Sequence, residues 1–105
     1  MSAQSVLGLV FHRIMTIKIQ IPRVLQQYSA RKSELPVKGA TVRSALDELK
    51  QSYPQLYQCI CDETDSVRSH INLFVNNDIV RDRTNLDHRL QAGDVLSVFQ
   101  AVSGG

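Results

Sequence analysis

The C-terminal end of the chain carries the residues best suited to chemistry. The sequence closes on Val102-Ser103-Gly104-Gly105. Two residues without Cβ make a thin, conformationally permissive tail, which suits a terminus that must enter a narrow active site on another protein. We interpret the free α-carboxylate of Gly105 as the reacting group, carried on a tail of Ser103 and Gly104. The alternative for these residues is a frayed terminus without function.

The other chemically versatile side chains form no recognisable site. The only cysteines, Cys59 and Cys61, stand as C-I-C, and two thiols without a nearby pair of His or Cys make a poor zinc site. The histidines lie far apart, at His12, His70 and His88. No Ser-His-Asp grouping, phosphate loop or close carboxylate pair is evident. We therefore expect that the protein binds no metal or cofactor, has no catalytic residue of its own and is not an enzyme. Two cysteines without a disulfide framework also indicate a reducing compartment, so we expect the protein in the cytoplasm.

The length and the charge of the chain limit the classes of partner that it can bind. The 105 residues suffice for one domain. Net charge is +2, but residues 1–43 carry seven basic side chains and one acid, whereas residues 44–105 carry five basic side chains and nine acids. No nucleic-acid-binding motif accompanies the basic half. The apolar run Val6–Phe11 is too short to span a bilayer and lacks the layout of a signal peptide. We expect neither a nucleic-acid partner nor a membrane.

Two strands are predicted in the first part of the domain. Thr16–Pro22 alternates isoleucines with polar residues, the period of a strand with one buried face. A polar connection over residues 23–30 leads to a second strand around Lys32–Lys38. Pro36 has no amide donor, so this strand should lie at a sheet edge.

Helices are predicted next. Thr41 is a good N-cap, but we expect that Ser44 cannot complete a capping box, where Glu or Gln is usual. An apolar stripe at helical spacing follows, comprising Val42, Ala45, Leu46 and Leu49. Pro54 marks a break before a short helix whose apolar residues are Leu56, Cys59 and Ile60, with Cys59 as a small core residue. Residues 62–69 read as a loop.

Three further strands complete the pattern. Ile71–Val75 places Phe74 on the face opposite its aliphatic residues, and Asn76-Asn77-Asp78 is a turn that leads into Ile79–Arg81. Leu86 and Leu90 anchor a loop. Gly93-Asp94 turns the chain into a last strand, Val95–Val102, in which Phe99 lies opposite Leu96 and Val98. This order of elements predicts an α+β fold, the β-grasp, in which a mixed sheet of four to five strands packs on one main helix. The first and last strands are predicted to be parallel neighbours at the centre of the sheet.

The final segment, from Gly93-Asp94 through the last strand to Gly104-Gly105, resembles the ThiS/MoaD family of ubiquitin-like sulfur carriers. The block Ile71–Arg81, INLFVNNDIVR, is similar to the third strand and turn of that family. The resemblance covers Met15–Gly105 and implies an adenylated Gly105 that becomes a thiocarboxylate. It also implies an adenylyltransferase/sulfurtransferase partner that uses ATP and Mg²⁺. Because Phe74 and Phe99 lie on neighbouring strands in this fold, they are predicted to form an exposed patch that binds partners.

The branch of the family is indicated by the insertion Gln51–Ser69 and the sequence after it. These are most similar to the CysO-like carriers, which implies sulfur delivery for cysteine biosynthesis, a cysteine synthase of the pyridoxal-phosphate type and a metallopeptidase as partners. One alternative is the small subunit of molybdopterin synthase, whose larger members also carry such an insertion and whose partner would be the large subunit. Gln100-Ala101 stand where those proteins often have Pro, which favours the cysteine branch. A ubiquitin-like modifier that joins Gly105 to lysines is the other alternative.

Domain boundaries follow from these elements. We predict an extension over residues 1–14, disordered or preceding the true start at Met15, a β-grasp domain over 15–102, and a flexible tail over 103–105. A chain that begins at Met15 should therefore melt within a few degrees of the full chain, as monitored by circular dichroism. A large loss of stability would instead show that Val6–Phe11 packs into the core.

Overall fold

The computed structural model describes residues 16–101. Their elements follow the order predicted from the sequence, with five strands and two α-helices. The bounds are β1 Thr16–Gln20, β2 Glu34–Lys38, α1 Val42–Ser52, α2 Pro54–Ile60, β3 Ile71–Val75, β4 Asp78–Ile79 and β5 Val95–Gln100. A 3-10 helix, Arg23–Tyr28, lies between β1 and β2. The predicted extension 1–14 and tail 103–105 lie outside the described residues.

The five strands form one mixed sheet in the order β2-β1-β5-β3-β4. β1 and β5 run parallel, with Lys18 paired to Val95 and Gln20 to Ser97, and the remaining pairs are antiparallel. The prediction that the first and last strands are parallel neighbours at the sheet centre is confirmed. The α+β, β-grasp architecture is confirmed with it.

One face of the sheet and the helices enclose the core. The predicted helical stripe is buried throughout, with Val42, Ala45 and Leu46 fully enclosed. Alternation in the strands supplies the other side of the core, namely Ile17, Ile19, Leu35, Val37, Ile71, Leu73, Val75, Leu96 and Val98. Leu86 and Leu90 are buried too and anchor the loop before β5, as predicted.

The start of α1 differs from expectation in one detail. Thr41 is the N-cap, and its side chain accepts a hydrogen bond from the Ser44 N–H at 3.1 Å. The Ser44 hydroxyl accepts one in return from the Thr41 N–H, also at 3.1 Å. The expectation that Ser44 leaves the capping box incomplete is therefore wrong. A serine hydroxyl supplies the reciprocal acceptor that Glu or Gln usually provides.

The connection over residues 23–30 is more ordered than its polar composition indicated. It forms the 3-10 helix, which buries Leu25 against the core. Ser29 is buried, and its hydroxyl donates to the Lys32 carbonyl at 2.6 Å. Leu25 is the one residue of this 3-10 helix that is buried, and Val24 beside it is exposed. Six residues are too few to establish a helical period, so sequence patterning alone does not reveal this segment.

In α2 the prediction that Cys59 is a core residue is only partly met. Leu56 and Ile60 are buried as expected, but Cys59 is only partly buried and packs at the margin of the core. Cys61, just beyond the helix, is the enclosed cysteine, with 1% of its surface exposed. It pairs with Val67 through an isolated bridge, so the chain after α2 turns inward.

Polar side chains hold the insertion against α1. The Tyr57 hydroxyl accepts a hydrogen bond from Arg43 Nη2 at 2.6 Å and donates one to Asp65 Oδ1 at 2.8 Å. Lys50 Nζ lies 3.1 Å from the same carboxylate oxygen. Burial of the ring, reinforced by the bond to Asp65, raises the pKa of Tyr57, so the phenol stays protonated and can donate. We call these four residues the tyrosine latch.

The β2 edge of the sheet is protected against strand addition. The Lys18 N–H donates to Asp94 O on the β5 side, so its antiparallel partner Pro36 presents its nitrogen outward. Pro36 offers no donor there, and the Lys38 N–H is taken by Glu48 Oε2 at 3.1 Å. Placement of Pro36 on an edge strand is confirmed, and it discourages pairing with other chains.

The capping box yields a stability prediction. Thr41→Ala removes an acceptor from the Ser44 N–H and should cost about 1 kcal/mol of unfolding free energy, or about 4–8 °C in melting temperature for a domain of this size. Thr41→Ser keeps the hydroxyl and should stay close to the parent. Thermal denaturation measures both, and equal losses in the two variants would contradict a role for the hydroxyl.

Candidate functional site: the outer face of the sheet and the terminal strand

The sheet face turned away from the helices carries an aromatic pair. Phe74 on β3 lies opposite Ser97 on β5, which places Phe99 diagonally across from it. Their ring centroids are 5.2 Å apart at an interplanar angle of 83°, an edge-to-face contact. Phe99 remains 54% exposed. The structure thus brings together the two rings that strand parity assigned to one patch.

A third apolar residue extends this surface. Ile79 on β4 pairs with Phe74, so the two side chains share a face, and Ile79 is 39% exposed. We call Phe74, Ile79 and Phe99 the aromatic patch. Ile79 was not predicted to belong to the patch, because a strand of only two residues offers no alternation from which to assign a face. Pairing through the turn was the available signal. That turn is Asn76-Asn77, so the strand predicted as Ile79–Arg81 instead begins at Asp78 and ends at Ile79.

A shallow groove of about 650 Å³ runs beside the two rings. Its lining residues are Gln20, Phe74, Asn76, Asn77, Val95, Ser97 and Phe99. Ser97 donates a hydrogen bond to Gln20 Oε1 at 3.0 Å, which joins the central strands beneath the groove. The groove therefore combines an apolar wall with amide and hydroxyl groups that suit an extended polypeptide.

Hydrogen bonds of Asn76 stabilise the end of the groove at which β5 begins. Asn76 has φ of 56°, a left-handed conformation that Asn tolerates. Its side-chain oxygen accepts from the Val95 N–H at 3.1 Å, while its amide nitrogen donates to Asp94 Oδ1 at 3.1 Å. Gly93 precedes this contact with φ of 86°, where a side chain would be strained. These contacts set where β5 begins.

β5 carries the chain directly toward its C-terminus. Val95, Ser97 and Phe99 share the outer face of this strand, so the groove and the path toward the terminus run in one direction. Beyond Gln100, the Ala101 N–H donates to the His70 carbonyl at 2.8 Å. Ser103, Gly104 and Gly105, the predicted tail and reacting group, lie outside the described residues, and their roles stay predictions.

The two cysteines are poorly placed to act as sulfur acceptors. Burial raises the pKa of both the Cys61 and the Cys59 thiols, which lowers the fraction of reactive thiolate near neutral pH. Cys61 also lies behind the tyrosine latch, with 1% exposure. Among residues 16–101 no cluster of three or more His, Cys, Asp or Glu is arranged to hold a metal ion.

Comparison with known proteins identifies the family of the chain. The ThiS family model matches residues 19–105 and so includes β5 and the terminal glycines. The chain belongs to the ThiS family. The family predicted from the sequence is thereby confirmed. No helix within the described part of the chain is long and apolar enough to cross a membrane.

Individual relatives agree in sequence and fold. Sulfur carrier protein CysO of Mycobacterium tuberculosis is 24% identical over 93 residues, which cover 87% of this chain and all of that protein. A chain of the Amycolatopsis orientalis BexX/CysO complex is 27% identical with a TM-score of 0.76, covering 85% of this chain and 99% of that one. SAMP1 from Haloferax volcanii is 27% identical with a TM-score of 0.72, covering 86% and 99% respectively. The predicted resemblance to CysO-like carriers is confirmed.

Exposure of Phe99 generates a prediction that separates binding from folding. Phe99→Asp should leave the melting temperature nearly unchanged, because the ring is half exposed, and should weaken binding to the adenylating partner by about tenfold, the cost typical of a central interface aromatic. Val24→Asp is the matched control, since Val24 is 57% exposed outside the patch. Calorimetric titration measures affinity. Equal effects of the two substitutions would remove the patch from the interface, and unfolding of Phe99→Asp would assign the ring to the core.

Proposed function

We propose that this protein is a sulfur carrier in which a partner enzyme adenylates the Gly105 carboxylate and converts it to a thiocarboxylate. The sulfur is then donated in biosynthesis, and the similarity to CysO favours cysteine as the product. The carrier itself supplies the substrate group, and the active sites belong to its partners. The proposed place of action is the cytoplasm.

One observation carries this proposal. A family match that extends to residue 105 joins the terminal Gly-Gly to a strand at the centre of the sheet. β5 is hydrogen-bonded on both sides, to β1 and β3, so its end has a fixed position relative to the outer face. Five residues then separate Gln100 from the terminal carboxylate. A partner that binds the outer face would therefore find the terminal carboxylate within the reach of these five residues, at most about 17 Å.

The proposed reaction explains why the last residues are glycines. A carboxylate is a poor acyl donor because its leaving group would be oxide. Adenylation by ATP releases pyrophosphate and gives Gly105 an acyl-adenylate with AMP as the leaving group. Sulfide attacks the carbonyl carbon and displaces AMP, which leaves the thiocarboxylate. Where a persulfide supplies the sulfur, displacement of AMP first gives an acyl disulfide, and a thiol must then cleave its S–S bond to release the thiocarboxylate and form a disulfide. Residues without Cβ allow the carboxylate to enter a narrow cleft for both steps.

Partner docking is proposed to use the aromatic patch. The patch is apolar, exposed and rimmed by the polar groups of the groove, the composition expected of an interaction site. The partners we propose are an adenylyltransferase/sulfurtransferase and a sulfur-accepting enzyme of the cysteine synthase type, together with a metallopeptidase that releases the product from the tail. CysO occurs with BexX in a solved complex, which supports docking of such a chain on a partner protein.

A ubiquitin-like modifier is the second candidate. The similarity to SAMP1, which is called a small archaeal modifier protein, favours it specifically. Both functions begin with adenylation of Gly105, so they share the tail and the docking face. They differ in the acceptor, since a modifier forms an amide with a lysine amine, whereas a carrier retains the thiocarboxylate until sulfur is transferred.

The decisive experiment follows the mass of the tail. Incubation with the cognate adenylating enzyme, ATP, Mg²⁺ and sulfide should exchange one oxygen of Gly105 for sulfur, visible by intact-mass spectrometry. Deletion of Gly105, or one residue added after it, should abolish the exchange without changing thermal stability. Gly104→Val should slow it because a β-branched residue stiffens and thickens the tail.

Cysteine variants and a search for lysine conjugates identify the group that accepts sulfur. Cys59→Ser with Cys61→Ala should gain sulfur at the parent rate, because the thiols take no part. Sulfur acquired by the Gly105-deleted protein would point to a cysteine persulfide and overturn the carboxylate mechanism. Conjugates to lysine, detected on gels in place of free thiocarboxylate, would favour the modifier.

A further inference from the structure

The outer side of the 3-10 helix forms a surface that neither the core nor the proposed function uses. A depression of about 440 Å³ opens on it. The residues that line this depression, which we call the cationic surface, are Arg23, Val24, Gln26, Gln27 and Arg31. Val24 exposes 57% of its surface there. An exposed apolar side chain accompanied by guanidinium groups has the composition of a protein interface, in which arginine is enriched.

The positive charge of the cationic surface is not neutralised by salt bridges in the described part of the chain. Between residues 16 and 46 the only acidic side chain is Glu34, and Lys18 Nζ lies 3.7 Å from Glu34 Oε1. Within residues 16–101 no salt bridge joins Arg23 or Arg31 to a carboxylate. Both guanidinium groups therefore remain available to an external carboxylate, which arginine can bind through two parallel N–H···O bonds.

The turn that presents Arg31 is held in an uncommon conformation. Ala30 and Arg31 have φ of 54° and 67°, in the left-handed region that side chains disfavour. The Arg31 N–H donates to the Gln26 carbonyl at 2.8 Å. The buried Ser29 hydroxyl donates to the Lys32 carbonyl at 2.6 Å. Backbone strain of this kind persists only where the surrounding structure fixes it, and it is frequent at recognition sites.

Strand register places the cationic surface at the end of the sheet where β5 ends. β1 and β5 run parallel and pair Gln20 with Ser97, and Arg23 and Gln100 each lie three residues beyond this pair. The 3-10 helix therefore follows β1 at the end from which the C-terminus departs. Leu25 belongs to the core, and the 3-10 helix packs against α2. The helix thus lies on the helical side of the sheet, whereas the aromatic patch lies on the outer face.

The proposed function requires two enzymes to take the same terminus in turn. The adenylating enzyme acts on the carboxylate and the sulfur-accepting enzyme on the thiocarboxylate, and both groups are small anions on one tail. The two enzymes therefore compete for the tail. A surface that only one of them contacts allows the affinity for each enzyme to be set separately, because specificity is a difference of affinities.

We propose that the cationic surface binds the sulfur-accepting enzyme and not the adenylating enzyme. The matching surface is a carboxylate-rich segment with an apolar side chain that covers Val24, so that its carboxylates pair with Arg23 and Arg31. This inference rests on the proposed function, which supplies the second enzyme. A protein is favoured over a nucleic acid because the lining has an apolar residue and no aromatic ring on which a base could stack.

Electrostatic attraction determines the size of the expected effect. Glutamate in place of Arg23 and Arg31 would face the carboxylates of the partner, which should weaken binding about tenfold at low salt, mainly through slower association. The Debye length falls to about 4 Å at about 0.5 M salt, so the difference from the parent should shrink to less than about threefold there.

Charge-reversal variants test the assignment. The double variant Arg23→Glu, Arg31→Glu is compared with Arg81→Glu, Arg89→Glu, which changes the charge equally at two other exposed arginines. Calorimetric titration with the sulfur-accepting enzyme at low and high salt should show the loss for the first double variant alone. Both double variants should bind the adenylating enzyme, and gain sulfur at Gly105, as the parent does.

Single variants keep the test independent of the strained turn. Arg23→Glu lies outside the turn, so it should retain the parent melting temperature even if substitution of Arg31 disturbs the backbone. Val24→Asp adds a negative charge to the same surface. Each single variant should weaken binding to the sulfur-accepting enzyme and leave binding to the adenylating enzyme unchanged.

A titration without any enzyme tests the surface by itself. A synthetic peptide of alternating Glu and Leu is added to the full chain, and backbone amides are followed by nuclear magnetic resonance. The largest shifts should fall within residues 23–31 and disappear in the Arg23→Glu, Arg31→Glu variant. Shifts centred on Arg81 and Arg89, or spread over all basic side chains, would overturn the site. Tighter binding of a single-stranded oligonucleotide than of the peptide would assign the surface to nucleic acid instead.

Two outcomes of the enzyme titrations would overturn the choice of partner. They are equal losses for the two double variants, and a loss with the adenylating enzyme as large as that with the sulfur-accepting enzyme. A parent chain that gains no sulfur would overturn the proposed function and the partner taken from it. The peptide titration would still decide whether the cationic surface binds an acidic segment.

Discussion

The parallel pairing of β1 with β5 is the contact on which the rest of this structure depends. It joins Lys18 to Val95 across nearly the whole described chain, so everything between the two strands must fold around it. Each central strand buries one face against α1 and recruits a neighbour on its other side, β2 for β1 and β3 for β5. Closing so long a loop costs conformational entropy, which the shared core of both strands and α1 must offset.

The same pairing gives the two faces of the sheet different roles, one in the core and one in recognition. Alternation sends the aliphatic residues of β1, β3 and β5 inward and leaves the opposite positions facing outward. On β5 these outward positions lead from Val95 through Ser97 to Phe99 and on toward the terminus. Structural stability and recognition therefore depend on different side chains of the same strand, so the recognition surface can change without loss of the core.

The insertion after α1 is stabilised by a different kind of contact. α2 contributes Leu56 and Ile60 to the core, but the loop that follows is held by the tyrosine latch. Arg43 approaches Tyr57 and also donates to the Asp65 backbone carbonyl at 2.8 Å. Hydrogen bonds from the Tyr57 hydroxyl and from Lys50 lower the pKa of Asp65, so this carboxylate remains charged at neutral pH and keeps its partners.

The sequence by itself determined the order of the five strands and two α-helices, the inward faces of the longer elements, and the family. Period-two alternation marks β1 and β3, the stripe from Val42 to Leu49 marks α1, and the turn before β5 with the glycines after it indicates the family. These signals are local, because they follow from backbone geometry within a few residues. The positions of Phe74 and Phe99 on one face were predictable once the strand order was inferred from the fold.

Tertiary structure alone decided what depends on partners distant in sequence. The 3-10 helix is stabilised because Leu25 packs into the core. Cys61 is more enclosed than Cys59 because the chain after α2 turns inward and pairs with Val67. Ile79 joins the aromatic patch only through its pairing with Phe74. Serine completes the capping box because its hydroxyl lies 3.1 Å from the Thr41 nitrogen. Each is fixed by burial or by a hydrogen bond whose energy depends on final positions, and residue type alone does not encode those positions.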